Sequence, residues 1–217
     1  MKKFFGIDSP FMVFLSNLTD VIILNVLFLI CSIPIITIGP AFTAMHYVTL
    51  KMVRREDGYI VKPFFKAFKD NFKQSCIAWL VFLVITIVFI LDYKILRAGS
   101  TEENMIFRII IGAIYLFVCL VMMYVFPLMS RFENTLKQTV KNALFMSILH
   151  IFKTIIMAAI YVLPFVLVPL HYNLILAFLI IGMSGPAYIN SYIWKSIFKK
   201  YEPEKVVEEE TIFEEKV

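Results

Sequence analysis

The chain has 217 residues, of which 60% are apolar, 16% aromatic and only 17% charged, and its formal net charge is +5. A soluble domain is about 45–50% apolar and about 25% charged, and a soluble fold this small would have to expose large apolar patches that aggregate. The composition excludes a water-soluble enzyme, a disordered chain and a nucleic-acid-binding module. It makes lipid the solvent for most of the chain, as does the mean hydropathy of +0.83.

The start of the chain carries Lys2 and Lys3 ahead of apolar residues, but Asp8 interrupts the run and no small-x-small site follows. The N-terminus is therefore expected to be retained. Asp8-Ser9-Pro10 predicts a helix start, with Ser9 as cap and Pro10 at the first helical position, where its missing N–H costs nothing. That helix runs to about residue 33 and is stopped by Pro34; twenty-odd residues reach about 36 Å, enough to cross a core of about 30 Å. After the break Pro34-Ile35-Ile36-Thr37-Ile38-Gly39-Pro40, a short helix over residues 41–53 ends at the charged run Arg54-Arg55-Glu56-Asp57-Gly58.

Residues 59–75 alternate phenylalanines with lysines. Phe65, Phe68 and Phe72 share one helical face, with Lys66, Lys69 and Lys73 around it, which predicts a basic amphipathic helix in the headgroup plane, touching the membrane surface or a partner. Apolar spans follow at residues 76–91, 105–129, 154–170 and 174–194, with a polar amphipathic stretch at 131–153. From residue 201 the chain is acidic, and residues 201–217 are expected to form a disordered cytoplasmic tail beyond a single transmembrane domain over residues 1–200.

The fold class is thus all-α: a polytopic transmembrane helical bundle with helix breaks at Pro34–Pro40 and Gly185-Pro186. If residues 41–53 cross, there are six spans with both termini inside. The N-terminus, residues 51–73, residues 131–153 and the C-terminal segment then place 18 of the 21 Lys and Arg in the cytoplasm, against Lys94, Arg97 and Arg108 outside. A five-span arrangement, without the short helix, puts Lys2 and Lys3 on the outer side. Six is the preferred count.

Gly39-Pro40-Ala41 recurs as Gly185-Pro186-Ala187, each followed by about 13 residues that end in a basic-then-acidic cluster. Gly/Pro-interrupted helices at repeat interfaces are places where transporters bind substrate, although such breaks are also common in membrane helices. Asn25, near the middle of the first helix, needs hydrogen-bond partners in hydrocarbon; interhelical bonding is the simpler role and substrate contact the sharper one. The candidate substrate-binding set is Asn25, Thr37, Gly39, Pro40, Gly185, Pro186 and Asn190.

No residues are assigned to catalysis: GxSxG, HExxH, a Walker lysine loop and GxGxxG are all missing from the sequence. His46 and His150 lack an acidic neighbour one helical turn away. Cys31, Cys76 and Cys119 are odd in number and form no CxxC, so no metal, cofactor or disulfide framework is expected. Trp79 and Trp194 are placed in the cytoplasmic aromatic belt.

Cys31-Ser32-Ile33-Pro34-Ile35-Ile36-Thr37-Ile38-Gly39-Pro40-Ala41, together with Asn25, resembles the YesL family, domain of unknown function 624. So do Phe64-Phe65-Lys66-Ala67-Phe68-Lys69-Asp70-Asn71-Phe72-Lys73 and Arg131-Phe132-Glu133-Asn134-Thr135. The resemblance spans about residues 1–200. It implies a multi-pass protein of the bacterial cell membrane, in families encoded near carbohydrate ABC importers and glycan-degrading enzymes, and it transfers no catalytic residue. The expected function is an accessory protein of oligosaccharide uptake, with the bilayer and sugar ABC-transporter permease subunits as partners and no nucleic acid. The alternative is a small stand-alone transporter with a polar site at the two Gly-Pro breaks.

Overall fold

Long apolar runs separated by charged turns can satisfy their backbone in lipid only as helices. The computed structural model describes residues 10–56, 59–98 and 102–202, and the described regular structure is helical. The cap expected at Asp8-Ser9 and the acidic residues 203–217 lie outside the described residues. The helices are α1 Pro10–Cys31, α2 Ile38–Val53, α3 Val61–Asp70, α4 Phe72–Ala98, α5 Glu102–Arg131, α6 Leu136–Leu149, α7 Ile151–Leu170, α8 Ile175–Ile181 and α9 Ser184–Phe198. One 3-10 turn, Ile35–Thr37, joins α1 to α2, and another, Tyr172–Leu174, joins α7 to α8.

Four helices (α1, α4, α5 and α7) are long and apolar enough to cross a bilayer, and α8 with α9 makes a fifth if the pair, bent by 50°, is one span. Their most apolar stretches are only 11–22% buried inside the protein. Residues such as Val84, Ile106, Ile114 and Phe165 are more than half exposed. In water such a surface would drive association; against acyl chains it has no cost.

α2 is the exception. At 16 residues it extends about 24 Å, and it is not among the span-length helices. Eleven of its residues are buried, because it sits inside the bundle against α1, α3, α4, α5 and α9. It separates two apolar clusters. One joins Leu50 to Tyr124, Leu128, Met157, Trp194 and Phe198; the other joins Leu24, Phe28, Phe64 and Ala187 to Ala41, Ala44, Met45 and Val48. Trp194 is fully buried, edge-on to Tyr124 and stacked on Phe198, so it belongs to the core and not to the expected aromatic belt.

The breaks differ from expectation in detail. Gly39-Pro40 and Gly185-Pro186 fall in the first turns of α2 and α9, where a proline N–H is not needed. The chain actually bends before them, at 32–37 and at Gly182-Met183. The first bend packs on the start of α4: Trp79 Nε1 donates to the Ile35 carbonyl at 2.7 Å, and Cys76 Sγ lies 3.5 Å from the Ile36 carbonyl. Gly39 presses on the same two turns. A Cβ there would stand against the Ser75 carbonyl oxygen and 2.7 Å from Trp79 Cβ. Gly39→Ala is therefore expected to destabilise the protein by about 1–3 kcal/mol through overpacking against backbone that cannot yield; a melting curve in mild detergent checks it.

The expected single amphipathic helix over 59–75 is two helices. Asn71 leaves helical geometry at φ −101°, ψ 4°, and its Nδ2 donates to the Ala67 carbonyl at 3.1 Å, closing α3. Phe72 and Lys73 consequently start α4. The polar stretch expected at 131–153 likewise divides, with Arg131 ending α5 and α6 capped by Thr135, whose hydroxyl accepts from the Gln138 N–H at 3.4 Å.

Candidate functional site

A polar concavity lies at helix ends. Its floor and one wall come from Tyr47 of α2, Lys66 and Asp70 of α3, Asn71, and Gln74 in the first turn of α4. The other wall is the connection from α5 to α6: Ser130, Arg131, Phe132, Glu133, Asn134 and Thr135. The volume of this partly open cleft is about 610 Å³, within the range of small-molecule sites. The local sequence explains the shape. Asn71 ends α3 so that α4 can turn away, and residues 132–135 stay non-helical until Thr135 caps α6.

One wall is braced from behind. Glu202, just past α9, has a side chain only 2% exposed, and its Oε1 accepts from Arg54 Nη2 at 2.5 Å and from Arg131 Nε at 2.7 Å. Arg54 is equally buried, whereas Arg131 is 27% exposed and lines the cleft. Burial alone would push the Glu202 carboxyl up; hydrogen bonds and charge from Arg131 and Arg54 outweigh it, and the carboxyl is held below its ordinary range. The clasp ties the ends of α2, α5 and α9 together. It also corrects the expected boundary of the acidic tail: Tyr201 and Glu202 pack on the bundle, because two arginines at helix ends require a counter-charge.

The expected substrate set is placed as follows. Asn25 is fully buried; its Nδ2 donates to the Leu179 carbonyl at 2.8 Å, and its Oδ1 accepts from the Met183 and Ser184 N–H groups at 3.1 and 3.0 Å. The α8–α9 bend is what creates these loose backbone groups, since the first N–H groups of α9 and the last carbonyls of α8 have no partner within their own helix. Thr37 Oγ1 lies 2.6 and 2.7 Å from the Cys31 and Pro34 carbonyls and closes the first bend. Gly39, Pro40 and Pro186 are buried and Gly185 is half-buried. Asn190 Nδ2 donates to the Met157 carbonyl at 3.2 Å. None of the seven lines the 610 Å³ cleft. The helices that follow the two bends do meet, with Ala41, Ala44 and Ala187 in one cluster and Ser191 donating to Thr49 at 2.8 Å.

Of the surface set, Phe65 and Phe72 are exposed, Phe68 is half-buried, and Lys66, Lys69 and Lys73 are exposed. The buried face of α3 belongs instead to Phe64 and Ala67. The sequence reasoning missed Arg54, Glu202, Tyr47 and Gln74 as parts of a site. Asp70, Asn71 and residues 131–135 stand in separate motifs of the sequence; their meeting across one cleft is a signal that only the fold supplies.

Residues 21–93 match the family described as "Protein of unknown function, DUF624". Over 152 residues, covering 70% of this chain and 71% of the relative, the sequence is 24% identical to "Uncharacterized protein YesL" of Bacillus subtilis (strain 168). These matches mark a similarity to the YesL/DUF624 proteins over part of the chain. No solved structure matches. The DUF624 match runs from the middle of α1 through α2 and α3 into α4, so it includes Asn25 without its partners at 179–184, the first bend and the α3 wall of the cleft.

Proposed function

We propose that this chain is a multi-pass accessory protein of the bacterial cell membrane that serves carbohydrate uptake by holding a permease subunit against the exposed, lysine-bearing rim of its cytoplasmic cleft. The observation that carries this reading is the convergence of two distant segments, 64–73 and 131–135, on the same polar cleft between exposed lysines. Their resemblance to the YesL family supplies the carbohydrate context. Among the described residues, no group of three or more His, Cys, Asp or Glu is placed to hold a metal, and contact surfaces are the prominent features. Affinity purification from native membranes in mild detergent, with and without crosslinking, is expected to recover a sugar-permease component. Recovery of none overturns the reading.

The same reading takes five spans, with α2 held inside and not crossing. The bend after α1 sits on the first two turns of α4, beside the lysine-bearing α3, so α1 runs toward the cytoplasmic side and starts on the other. Sixteen of the 21 Lys and Arg then face the cytoplasm, which still satisfies the charge bias. A cysteine placed at Met12 in a chain freed of its native cysteines is expected to react with an impermeant maleimide on intact cells, and one placed at Lys69 is not. The reverse pattern overturns the arrangement.

One observation favours the transporter alternative. His46 Nδ1 and Asn190 Oδ1 are buried without a hydrogen-bond partner, on either side of Tyr161, whose hydroxyl lies 3.1 Å from His46 Nε2. Solute flux in proteoliposomes that is abolished by Asn190→Leu, in a variant that remains folded, would give that alternative precedence.

A further inference from the structure

We propose that the cleft between α3 and the α5–α6 connection binds a phosphoethanolamine-type zwitterion, the headgroup of a membrane lipid. This goes beyond the accessory reading and does not rest on it.

The argument starts from the charges. Each wall carries one cation and one anion: Lys66 and Asp70, one helical turn apart on α3, face the cleft from one side, and Arg131 and Glu133 from the other. Two carboxylates in a shared concavity oppose a net anion such as inorganic phosphate. Two cations oppose a free metal or a net cationic ligand. A ligand that carries both signs satisfies both walls, with oxyanion against guanidinium and ammonium, and primary ammonium against carboxylate, each as a charge-assisted hydrogen bond. Arg131 is positioned for this. Glu202 holds its Nε, which fixes the guanidinium plane and leaves the terminal N–H groups for another acceptor. Gln74 adds an uncharged donor and acceptor. A quaternary ammonium would gain less, since carboxylates have no N–H to accept from it.

Position supplies the source. α4 begins at Phe72 and α5 ends at Arg131, both termini of membrane-length helices, so the cleft lies at headgroup depth. A volume of about 610 Å³ exceeds what a phosphoethanolamine group fills, and the cleft is not closed over, so the glycerol and acyl chains need not enter it.

The test uses the full chain, purified in mild detergent and titrated with dioctanoyl phosphatidylethanolamine, dioctanoyl phosphatidylglycerol or free O-phosphoethanolamine, with binding read by native mass spectrometry and thermal shift. One saturable phosphatidylethanolamine site is expected, at least about tenfold tighter than phosphatidylglycerol, and Lys66→Gln and Asp70→Asn should each weaken it about tenfold. Both positions are exposed, so the variants fold. Free O-phosphoethanolamine binding weaker than the lipid supports a lipid source; equal binding keeps the zwitterion chemistry but overturns the lipid source. Phosphatidylglycerol binding as tightly as phosphatidylethanolamine, or Asp70→Asn leaving the affinity unchanged, overturns the proposal.

Discussion

Glu202→Ala is expected to lower the melting temperature in detergent more than any other single surface-end substitution, by about 10 °C. Removing the carboxylate takes from the guanidinium of Arg54, 2% exposed, its ion pair with Glu202, and breaking a buried pair on one side costs about 3–5 kcal/mol; for a chain of this length each kcal/mol is worth about 2–4 °C. Arg131→Gln should cost less, because Arg131 is partly solvated. Replacing Arg54 and Glu202 together by leucine should recover much of the loss, since an apolar pair needs no desolvation. The pH dependence follows from the sign of the shift. Glu202 ionises below its ordinary range when folded, so its contribution is complete above the unfolded-state value, about 4.3. It disappears as pH falls through the lower folded-state value. The gap in melting temperature between the parent and Glu202→Gln is therefore expected to be constant from pH 6 to 8 and to close below about pH 4. A gap independent of pH down to that range would show that the side chain acts by packing and not by charge.

The same residue shows where sequence reasoning reaches its limit. Apolar runs of span length are a local property, and α1, α4, α5 and α7 were all legible from it, as was the interruption of the last span. α2 was not. Ile38–Val53 is apolar enough to read as a short crossing, and only its neighbours reveal that it is buried by protein on most sides. Glu202 sits at the start of an acid-rich stretch and shares its composition; what separates it is the presence of Arg54 and Arg131, 148 and 71 residues away. The cleft is invisible for the same reason. Lys66, Asp70 and Glu133 each look like solvated helix-end charges, and their meeting around one cleft depends on Asn71 closing α3 and Thr135 opening α6. The Phe65–Phe68–Phe72 stripe crosses Asn71, where α3 ends, so Phe72 belongs to α4, although its ring still stands 5.6 Å from that of Phe68.

Asn25→Leu is the second large effect, and it separates the two roles weighed for this residue. The fully buried side chain makes three hydrogen bonds to the backbone at the α8–α9 bend. Leucine has a similar volume but strands two N–H groups and a carbonyl. A buried unsatisfied group costs about 1–3 kcal/mol, while hydrogen bonds between membrane helices average about 0.6 kcal/mol because the unfolded chain also finds partners. A loss of about 2–4 kcal/mol, or close to 10 °C by the same scaling, is the expected result. Ser184→Ala, which removes a hydrogen bond of 2.7 Å to the Val21 carbonyl in the same contact, should cost less. The pair should also be less than additive, since the first loss already loosens the α1–α9 seam that the second depends on. Asn25→Asp keeps the acceptor for Met183 and Ser184 but gives up the donor to Leu179, and it places a carboxyl in an apolar interior, so it should fall between the parent and leucine only where the carboxyl is protonated. If Asn25→Leu instead melts with the parent, the three bonds contribute nothing and the residue is free for ligand contact. If it melts lower, any transport defect in the variant must be read as a failure of the bend that α9 needs to reach the clasp at Glu202.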